Sequence, residues 1–438
     1  MAKRMLLRFA LFLSGFTTTE NAYCQLTYLG LHTQKLSIVN ARMKLRQDTL
    51  FVPARNGLFK KSILSNDTNW IPAGFQGMTI NDFVLIGQDT IVCVVDSLEG
   101  NTVFISIDNG SSFTNSTNGF GGSGSNYIAG MRIDVNPFNH HEIIGLSGAC
   151  VARSLDFCTT WTPIYLNWGY FYYQSTTLQY HPLNSTRIYS GGEGGFFSSE
   201  LAYSLNGGTS WASSAVLSNN AVNTLAFHPA ETDTLVIGME GRIRLSADNG
   251  ITWSDVFMTP HYEYILSIVY DESNTNILYA AGAINGFNDT LRIFRSPDGG
   301  TSWVQYLIAY LPNDGGAVMS MVMHNNSLFM LTTDYSRNCR GVYKVDLSSV
   351  AVPDNVNQNY ISVTPNPFSG SVSLQTGSYL NDATLKVFNC LGEPVAEVKN
   401  ISGNAVTFNR GNLPAGLYLL MLQEGNNPPG IAKVIIGD

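Results

Sequence analysis

Chemistry in this chain would rest on a small set of residues. Glu193, in the run Gly191-Gly192-Glu193-Gly194-Gly195, and Glu240, in Gly238-Met239-Glu240-Gly241-Arg242, sit in matching Gly-rich turns. Two carboxylates on one rim can act as the acid and base of glycoside hydrolysis. The plainer explanation is a solvated turn residue between glycines. A second set is aromatic: Trp168, Tyr170 and Tyr172 in the run Tyr165–Tyr173, with Tyr262, Tyr264 and Tyr310 further on. Aromatic faces stack on sugars, peptides or partner side chains, and they also fill space between packed elements. His181 and His228 each precede a proline, and His140-His141 has no Cys or further His at ligand spacing, so no metal site and no cofactor are expected.

Composition narrows the partners. Of 438 residues, 44% are hydrophobic and only 13% charged, and the net charge is −8. A folded core is therefore expected, while nucleic acid is an unsuitable ligand because phosphate binding needs clustered Lys and Arg. The longest apolar run, around Leu11–Phe16, is shorter than the ~20 residues a membrane helix needs, so no transmembrane segment is expected. Six cysteines are present. Cys24 falls at the end of an export signal and Cys390 near the C-terminus. Cys93, Cys150, Cys158 and Cys339 remain, with pairing open.

The elements that position these residues come from a repeat. One motif recurs as Ser106–Phe113, Ser154–Trp161, Ser204–Trp211, Ser246–Trp253 and Ser296–Trp303, spaced by 48, 50, 42 and 50 residues. Lys61–Trp70 is a degenerate copy one period earlier. Gly341–Asp346, one period later, keeps the strand and loses the turn. Each unit reads as four short strands without helical periodicity, as in Thr224–Phe227, Thr234–Gly238 and Arg242–Leu245 followed by the motif turn and a fourth strand. Seven such units predict a seven-bladed β-propeller. Leu26–Leu29 are expected to supply the outer strand that the last blade lacks.

In the motif, Asp108, Asp156, Asp248 and Asp298 can accept backbone N–H bonds across a hairpin, with Asn206 in the same slot of one copy. Glycine permits positive φ, and Trp161, Trp211, Trp253 and Trp303 pack between strands. The motif resembles the Asp-box, or BNR, repeat of sialidases, sortilin, xyloglucanases and the photosystem II assembly factor. Phe113, Asn206 and Cys158 depart from the Asp-box pattern. The resemblance implies the fold and leaves chemistry open, since the box lies in a peripheral turn. Sialidases need three arginines, whereas the inner strands here offer only Arg42 and Arg132. Arg153, Arg295 and Lys61 precede the motif serine and read as third-strand fixtures.

The two ends of the chain read differently. Lys3, Arg4 and Arg8, the apolar Met5–Phe16 and Ala22-Tyr23-Cys24 predict a signal peptide over 1–24, with a lipid anchor on Cys24 as the minor alternative. The propeller is expected over 25–349 and a linker over 350–358. Alternating apolar strands over 359–438 predict a small Ig-like β-sandwich. Pro365-Asn366-Pro367-Phe368, the segment around Leu385–Val395, the stretch with Gly416 and Tyr418, and the terminal Lys433–Gly437 resemble the type A C-terminal sorting domain of the type IX secretion system of Bacteroidota. That resemblance implies the secretion machinery as a partner and a surface-anchored or released product. The all-β chain is expected to be a non-catalytic scaffold for a glycan, peptide or protein, the alternative being a glycosidase-like enzyme on the axial face.

Overall fold

The computed structural model describes residues 26–32, 34–36, 41–95, 103–116, 130–147, 150–166, 174–194, 198–218, 220–284, 290–311, 316–334, 336–347, 361–389, 394–425 and 430–437. The expected signal peptide and linker lie outside the described residues, as do Cys24 and Cys390.

In the unit Cys24–Ser348 the strands form seven antiparallel sheets of four. After β1 (Leu26–Tyr28), the first blade is β2 (Lys44–Arg46), β3 (Thr49–Ala54), β4 (Gly57–Ser62) and β5 (Ile71–Pro72). The second is β6 (Ile80–Ile86), β7 (Thr90–Val95), β8 (Val103–Ser106) and β9 (Thr114–Asn115). The third is β10 (Gly130–Val135), β11 (Ile143–Ser147), β12 (Cys150–Ser154) and β13 (Thr162–Leu166). The fourth is β14 (Gln174–His181), β15 (Asn184–Gly194), β16 (Ser198–Ser204) and β17 (Ala212–Ser218). The fifth is β18 (Val222–Phe227), β19 (Leu235–Met239), β20 (Arg242–Ser246) and β21 (Ser254–Met258). The sixth is β22 (Tyr264–Tyr270), β23 (Leu278–Ala283), β24 (Thr290–Ser296) and β25 (Val304–Tyr310). The seventh has only β26 (Ala317–His324), β27 (Ser327–Thr333) and β28 (Cys339–Asp346) of its own. Its fourth strand is β1, paired to β28 as Leu26↔Val345, Thr27↔Lys344 and Tyr28↔Tyr343. The ring is a seven-bladed β-propeller, closed by the strand expected to close it.

The core is not central. Apolar side chains gather in seven layers, one between each pair of neighbouring blades, including the last with the first. This explains why second strands read as unbroken apolar runs: in β7, Ile91, Cys93 and Val95 pack toward the first blade while Val92 and Val94 pack toward the third. Cysteines 93, 150, 158 and 339 are buried within these layers. Burial pushes the Cys158 and Cys339 thiols up to about 12.

Closure reaches beyond β1. Leu29 donates its N–H to the Val342 carbonyl at 2.7 Å, and its own carbonyl accepts Trp70 Nε1–H of the first blade at 2.8 Å. Residue 29 thus joins the last blade to the first. Gly30 follows at φ +97°, where a Cβ would lie 2.3 Å from the Thr68 carbonyl oxygen. Only glycine lets the chain pass there.

Each S-x-D hairpin is held the same way. In the second blade Ser106 Oγ donates to Asp108 Oδ1 at 2.8 Å and accepts the Gly110 N–H at 2.8 Å. Asp108 accepts the Ser112 N–H at 2.8 Å and its hydroxyl at 2.6 Å. The pattern repeats around Asp156, Asp248 and Asp298. In the fourth blade Asn206 Nδ2 donates to Ser210 Oγ at 2.7 Å, reversing one bond. Cys158 adopts φ +65° in place of glycine. Trp253 and Trp303 donate Nε1–H to the Gly250 and Gly300 carbonyls, and Trp211 stacks on Tyr165 at 4.7 Å. Arginines tie these hairpins to the preceding blade: Arg46 Nη2 donates to Asn109 Oδ1 and Arg153 Nη1 to the Gly207 carbonyl, each at 2.5 Å.

The second unit, containing Ser349–Asp438, is a five-stranded sheet of β29 (Ile361–Thr364), β30 (Ser371–Phe388), β31 (Pro394–Asn409), β32 (Gly416–Gln423) and β33 (Gly430–Ile436). β30 pairs with β29 over its first part and with β32 over its last, with four register shifts against β31 from Gln375 to Phe388. The sheet folds over at these bulges and encloses its own core, including Phe368, Leu385, Tyr418 and Val434.

Two predictions follow from these geometries. Gly30→Ala should lower the free energy of unfolding by about 2 kcal/mol or more and speed hydrogen exchange at residues 26–30 and 342–345. Gly77→Ala, at φ +80° with nothing within 4 Å of the added Cβ, should cost less, and equal losses would refute the closure role of Gly30. Hydrogen bonds from Ser112 and Thr160 hold Asp108 and Asp156 down to about 2. Their folded-state values lie below the unfolded value, so the stability they add is complete above about pH 4 and disappears as pH falls through about 2. Urea titrations of a double Asp108→Asn, Asp156→Asn variant should show a flatter stability profile between pH 4 and 2 than the parent.

Candidate functional site in the axial channel

The innermost strands set the channel. In six blades the inner strand skips one residue against its neighbour, between Ile80 and Asp82, Gly130 and Arg132, Ser175 and Thr177, Val222 and Thr224, Ile265 and Ser267, and Val318 and Ser320. A bulge breaks the ladder and re-aims the side chain after it. The residue after the skip is polar every time. Three of these side chains staple their blade to the next: Asp82 Oδ2 accepts the Ile133 N–H at 3.3 Å, Ser267 Oγ the Met321 N–H at 2.9 Å and Ser320 Oγ the Met43 N–H at 3.0 Å. That register places Arg42 at the equivalent position of the first blade. Arg42 Nη2 donates to Thr177 Oγ1 of the fourth blade at 2.6 Å.

Two residues further along, on the same strand face, come Lys44 and Asp134. Lys44 donates Nζ–H to the Phe83 carbonyl and lies 3.8 Å from Asp82 Oδ1. Asp134 Oδ2 accepts the Tyr180 N–H at 2.8 Å. Burial alone would push Asp82 up, but Lys44, Arg42, Arg132 and the Phe83 N–H outweigh it and hold the carboxyl below its usual range. For Asp134 burial prevails and its carboxyl is pushed up. Burial, then repulsion from Arg42, draws Arg132 down to about 9. Arg42, Lys44, Gln179, Asn223, Ser267 and Ser320 are among the residues lining an axial cavity of about 220 Å³.

Near this channel, the link 259–263 between the fifth and sixth blades is locked by Glu263. Its carboxylate accepts Arg292 Nη1–H at 3.0 Å and the His261 N–H at 3.0 Å, while its own N–H donates to Thr259 Oγ1 at 2.8 Å. Tyr262 stands exposed at φ +55° against Gly241 and meets Tyr264 edge-on at 6.2 Å. Tyr264 is the first residue of its inner strand and is half-buried.

The other expected site residues are placed as follows. Glu240 lies in the turn between β19 and β20, bridged to Tyr264. Glu193 lies within the ladder rather than in the turn, paired with Gln174 and Ser199, because β15 runs on to Gly194. Tyr310 ends β25 and pairs with Thr290. Trp168, Tyr170 and Tyr172 lie outside the described residues. Lys44, Asp82, Asp134 and Glu263 are additions from the structure. The signal for three of them was a charged residue in an inner strand, Asp82 at the bulge and Lys44 and Asp134 two residues beyond that register position. For Glu263, inside a link, no local signal exists.

In the second unit Asn366 Oδ1 accepts the Ile435 N–H at 2.8 Å, and Phe368, buried, exchanges backbone bonds with Ile435 and Gly437. Pro365 and Pro367 follow cis peptide bonds. Tyr418 donates its hydroxyl to the Pro414 carbonyl at 2.9 Å, and Gly416 begins that strand.

Residues 362–437 match the family described as the secretion system C-terminal sorting domain. By sequence, no protein of curated function matches the chain. By structure the chain is similar to YCF48 bound to D1 peptide (TM-score 0.52, 15% identity, 75% of this chain and 98% of that one). It is also similar to a GH74 xyloglucanase from Xanthomonas campestris (TM-score 0.57, 14% identity, 82% of this chain and 60% of that one). A third likeness is to PorZ, a surface component of the type IX secretion system of Porphyromonas gingivalis (TM-score 0.51, 12% identity, 96% of this chain and 61% of that one). The chain thus spans about 60% of the length of the last two. At such identities these likenesses show the propeller fold. The sorting domain marks the protein for type IX export to the cell surface or the medium. Among the described residues no helix is long and apolar enough to cross a membrane.

Deletion of residues 355–438 should leave the propeller in the periplasm. Fractionation with surface protease digestion measures this, and normal surface display of the truncated protein would contradict it.

Proposed function

We propose that the propeller is a non-catalytic binding scaffold, anchored at the surface or released after sorting, which presents its axial face to a glycan, peptide or protein. One observation carries this reading: the described carboxylates beside the channel serve the fold. Asp82 and Asp134 hold backbone N–H groups of neighbouring blades, and Glu263 is committed to Arg292 and its own link. A hydrolase needs a carboxyl free to give or take a proton at the substrate. The aromatic residues proposed for contact are Tyr262 and Tyr264, which belong to or border the link between the fifth and sixth blades, together with Trp168, Tyr170 and Tyr172, which follow β13 in the sequence. The fold likeness to YCF48 bound to D1 peptide is compatible with peptide binding on such a ring.

The competing reading, a glycosidase-like enzyme, rests on the rim position of Glu193 and Glu240 at the ends of the second strands of adjacent blades. The full-length exported protein, applied to a glycan array and to a panel of chromogenic glycosides, separates the two. Saturable binding without turnover, weakened about tenfold by Trp168→Ala (about 1.4 kcal/mol), is the expected result. Turnover abolished by Glu193→Gln would establish the enzyme instead.

A further inference from the structure

Antiparallel strand order places the first-to-second and third-to-fourth turns of the blades on one face of the ring and the links between blades on the other. The turn face carries an exposed apolar arc. Leu64 in the first blade, Ile107 in the second, Phe138 and Leu155 in the third, and Leu183 and Leu205 in the fourth are each between 40% and 79% exposed. Ile107, Leu155 and Leu205 fill one slot, between the Ser and the Asp or Asn of successive hairpins, so the repeat itself sets them in a row. In the fifth and sixth blades that slot holds the smaller Ala247 and Pro297, and exposed Ile251 ends the arc. The hairpin does not require a large side chain there. It is held by its Ser, Asp and Gly, and an exposed aliphatic after the serine buries little in the blade. Clustered exposed apolar groups mark interaction sites.

The arc is preformed. Arg46 ties the second-blade hairpin to the first blade through Asn109. Ser116 of the second blade donates its hydroxyl to the Cys158 carbonyl of the third. Arg153 of the third reaches the Gly207 carbonyl of the fourth. The ordering entropy lost on docking is therefore small. Charge then selects the partner. None of these turns contains Lys or Arg, whereas Asp or Glu occurs in those of the first, second, third, fifth and sixth blades. Of the cations at adjoining strand ends, Lys61 donates Nζ–H to Asp67 at 2.6 Å and Arg187 donates Nη1–H to Asp233 at 2.9 Å. Hydrogen bonds within the hairpins keep Asp108 and Asp156 ionised. A second copy docking here would bring acid against acid, and a membrane with acidic headgroups would be repelled in the same way. A cationic chain with one apolar side suits both the arc and the acids around it.

We propose that this turn face is a second interaction surface, which docks a cationic amphipathic polypeptide. Its apolar side chains rest on Ile107, Leu155 and Leu205, and its Lys or Arg side chains meet the acids of the surrounding turns. This surface is separate from the axial face and does not depend on it. The full-length exported protein is titrated by calorimetry with three synthetic peptides of equal length: an amphipathic Leu/Lys peptide, its Leu/Glu counterpart, and a Ser/Lys peptide that lacks the apolar side. The Leu/Lys peptide should bind saturably, the other two at least tenfold more weakly, and sodium chloride should weaken the binding. The double variant Ile107→Ser, Leu155→Ser should lower the affinity about tenfold with Tm unchanged, since both side chains are exposed. Met258→Ser, at an exposed apolar residue that ends β21 on the link side of its blade, should leave the affinity unchanged. Equal binding of the Ser/Lys or the Leu/Glu peptide, or unchanged affinity in the double variant, would overturn the proposal. So would a silent Leu/Lys peptide, whether phosphatidylcholine vesicles bind or the protein associates with itself instead.

Discussion

Three backbone pairs between residues 26–28 and 343–345 join the two ends of a ring more than three hundred residues long. Everything else in the propeller depends on that junction. A blade has two apolar faces and cannot bury either alone, so each needs a neighbour on both sides. A linear array leaves two faces and a sheet edge exposed. Closure removes both, and the layer between the last and first blades then becomes equivalent to the other six. The cost is entropic, because the partners are so distant in sequence that most of the chain must be ordered before they meet. The surroundings of Leu29 and Gly30 reflect this: one residue bonds to both terminal blades and the next passes where no side chain fits.

The channel is a consequence of the same closure. Bulges at one register position in successive inner strands bring polar residues to a common ring. There they serve two ends at once. Serine and aspartate oxygens capture backbone N–H groups of the next blade, which fixes the angular spacing between blades. The longer Arg42 side chain at the equivalent position reaches across and meets Thr177 three blades away. Neighbouring cations and carboxylates reset one another: Asp82 is held ionised by three cations although it is buried, whereas Asp134, with less support, is pushed toward its neutral form. The electrostatic character of the axis thus belongs to the assembled ring and to no single blade.

The sorting unit has its own logic. One long strand, bent by bulges, pairs with different partners along its length and wraps a core of Phe368, Leu385, Tyr418 and Val434. The Pro365–Phe368 segment is pinned against the final strand through Asn366 and Phe368, which ties the first recognisable piece of this domain to its last.

Much of this architecture was legible in the residues. The S-x-D-x-G motif recurs because each hairpin satisfies its own backbone with its own side chains, a local solution that any reader of the sequence can see. Periodicity counted the blades, and the missing turn after Gly341 pointed to a borrowed strand. The sorting domain showed itself for the same reason, through contiguous short segments. The ligand-facing chemistry was not legible in this way. Arg42 and Arg132 could be named as inner-strand arginines, but their convergence with Lys44, Asp82 and Asp134 depends on a bulge register that becomes visible only when each strand lies beside its neighbour. Glu263 looks like any link residue until Arg292 is brought to it. Local hydrogen bonding determined the repeat, and so the sequence alone determined the fold. Contacts between residues distant along the chain determined the charge at the axis, and these exist only once the ring has closed.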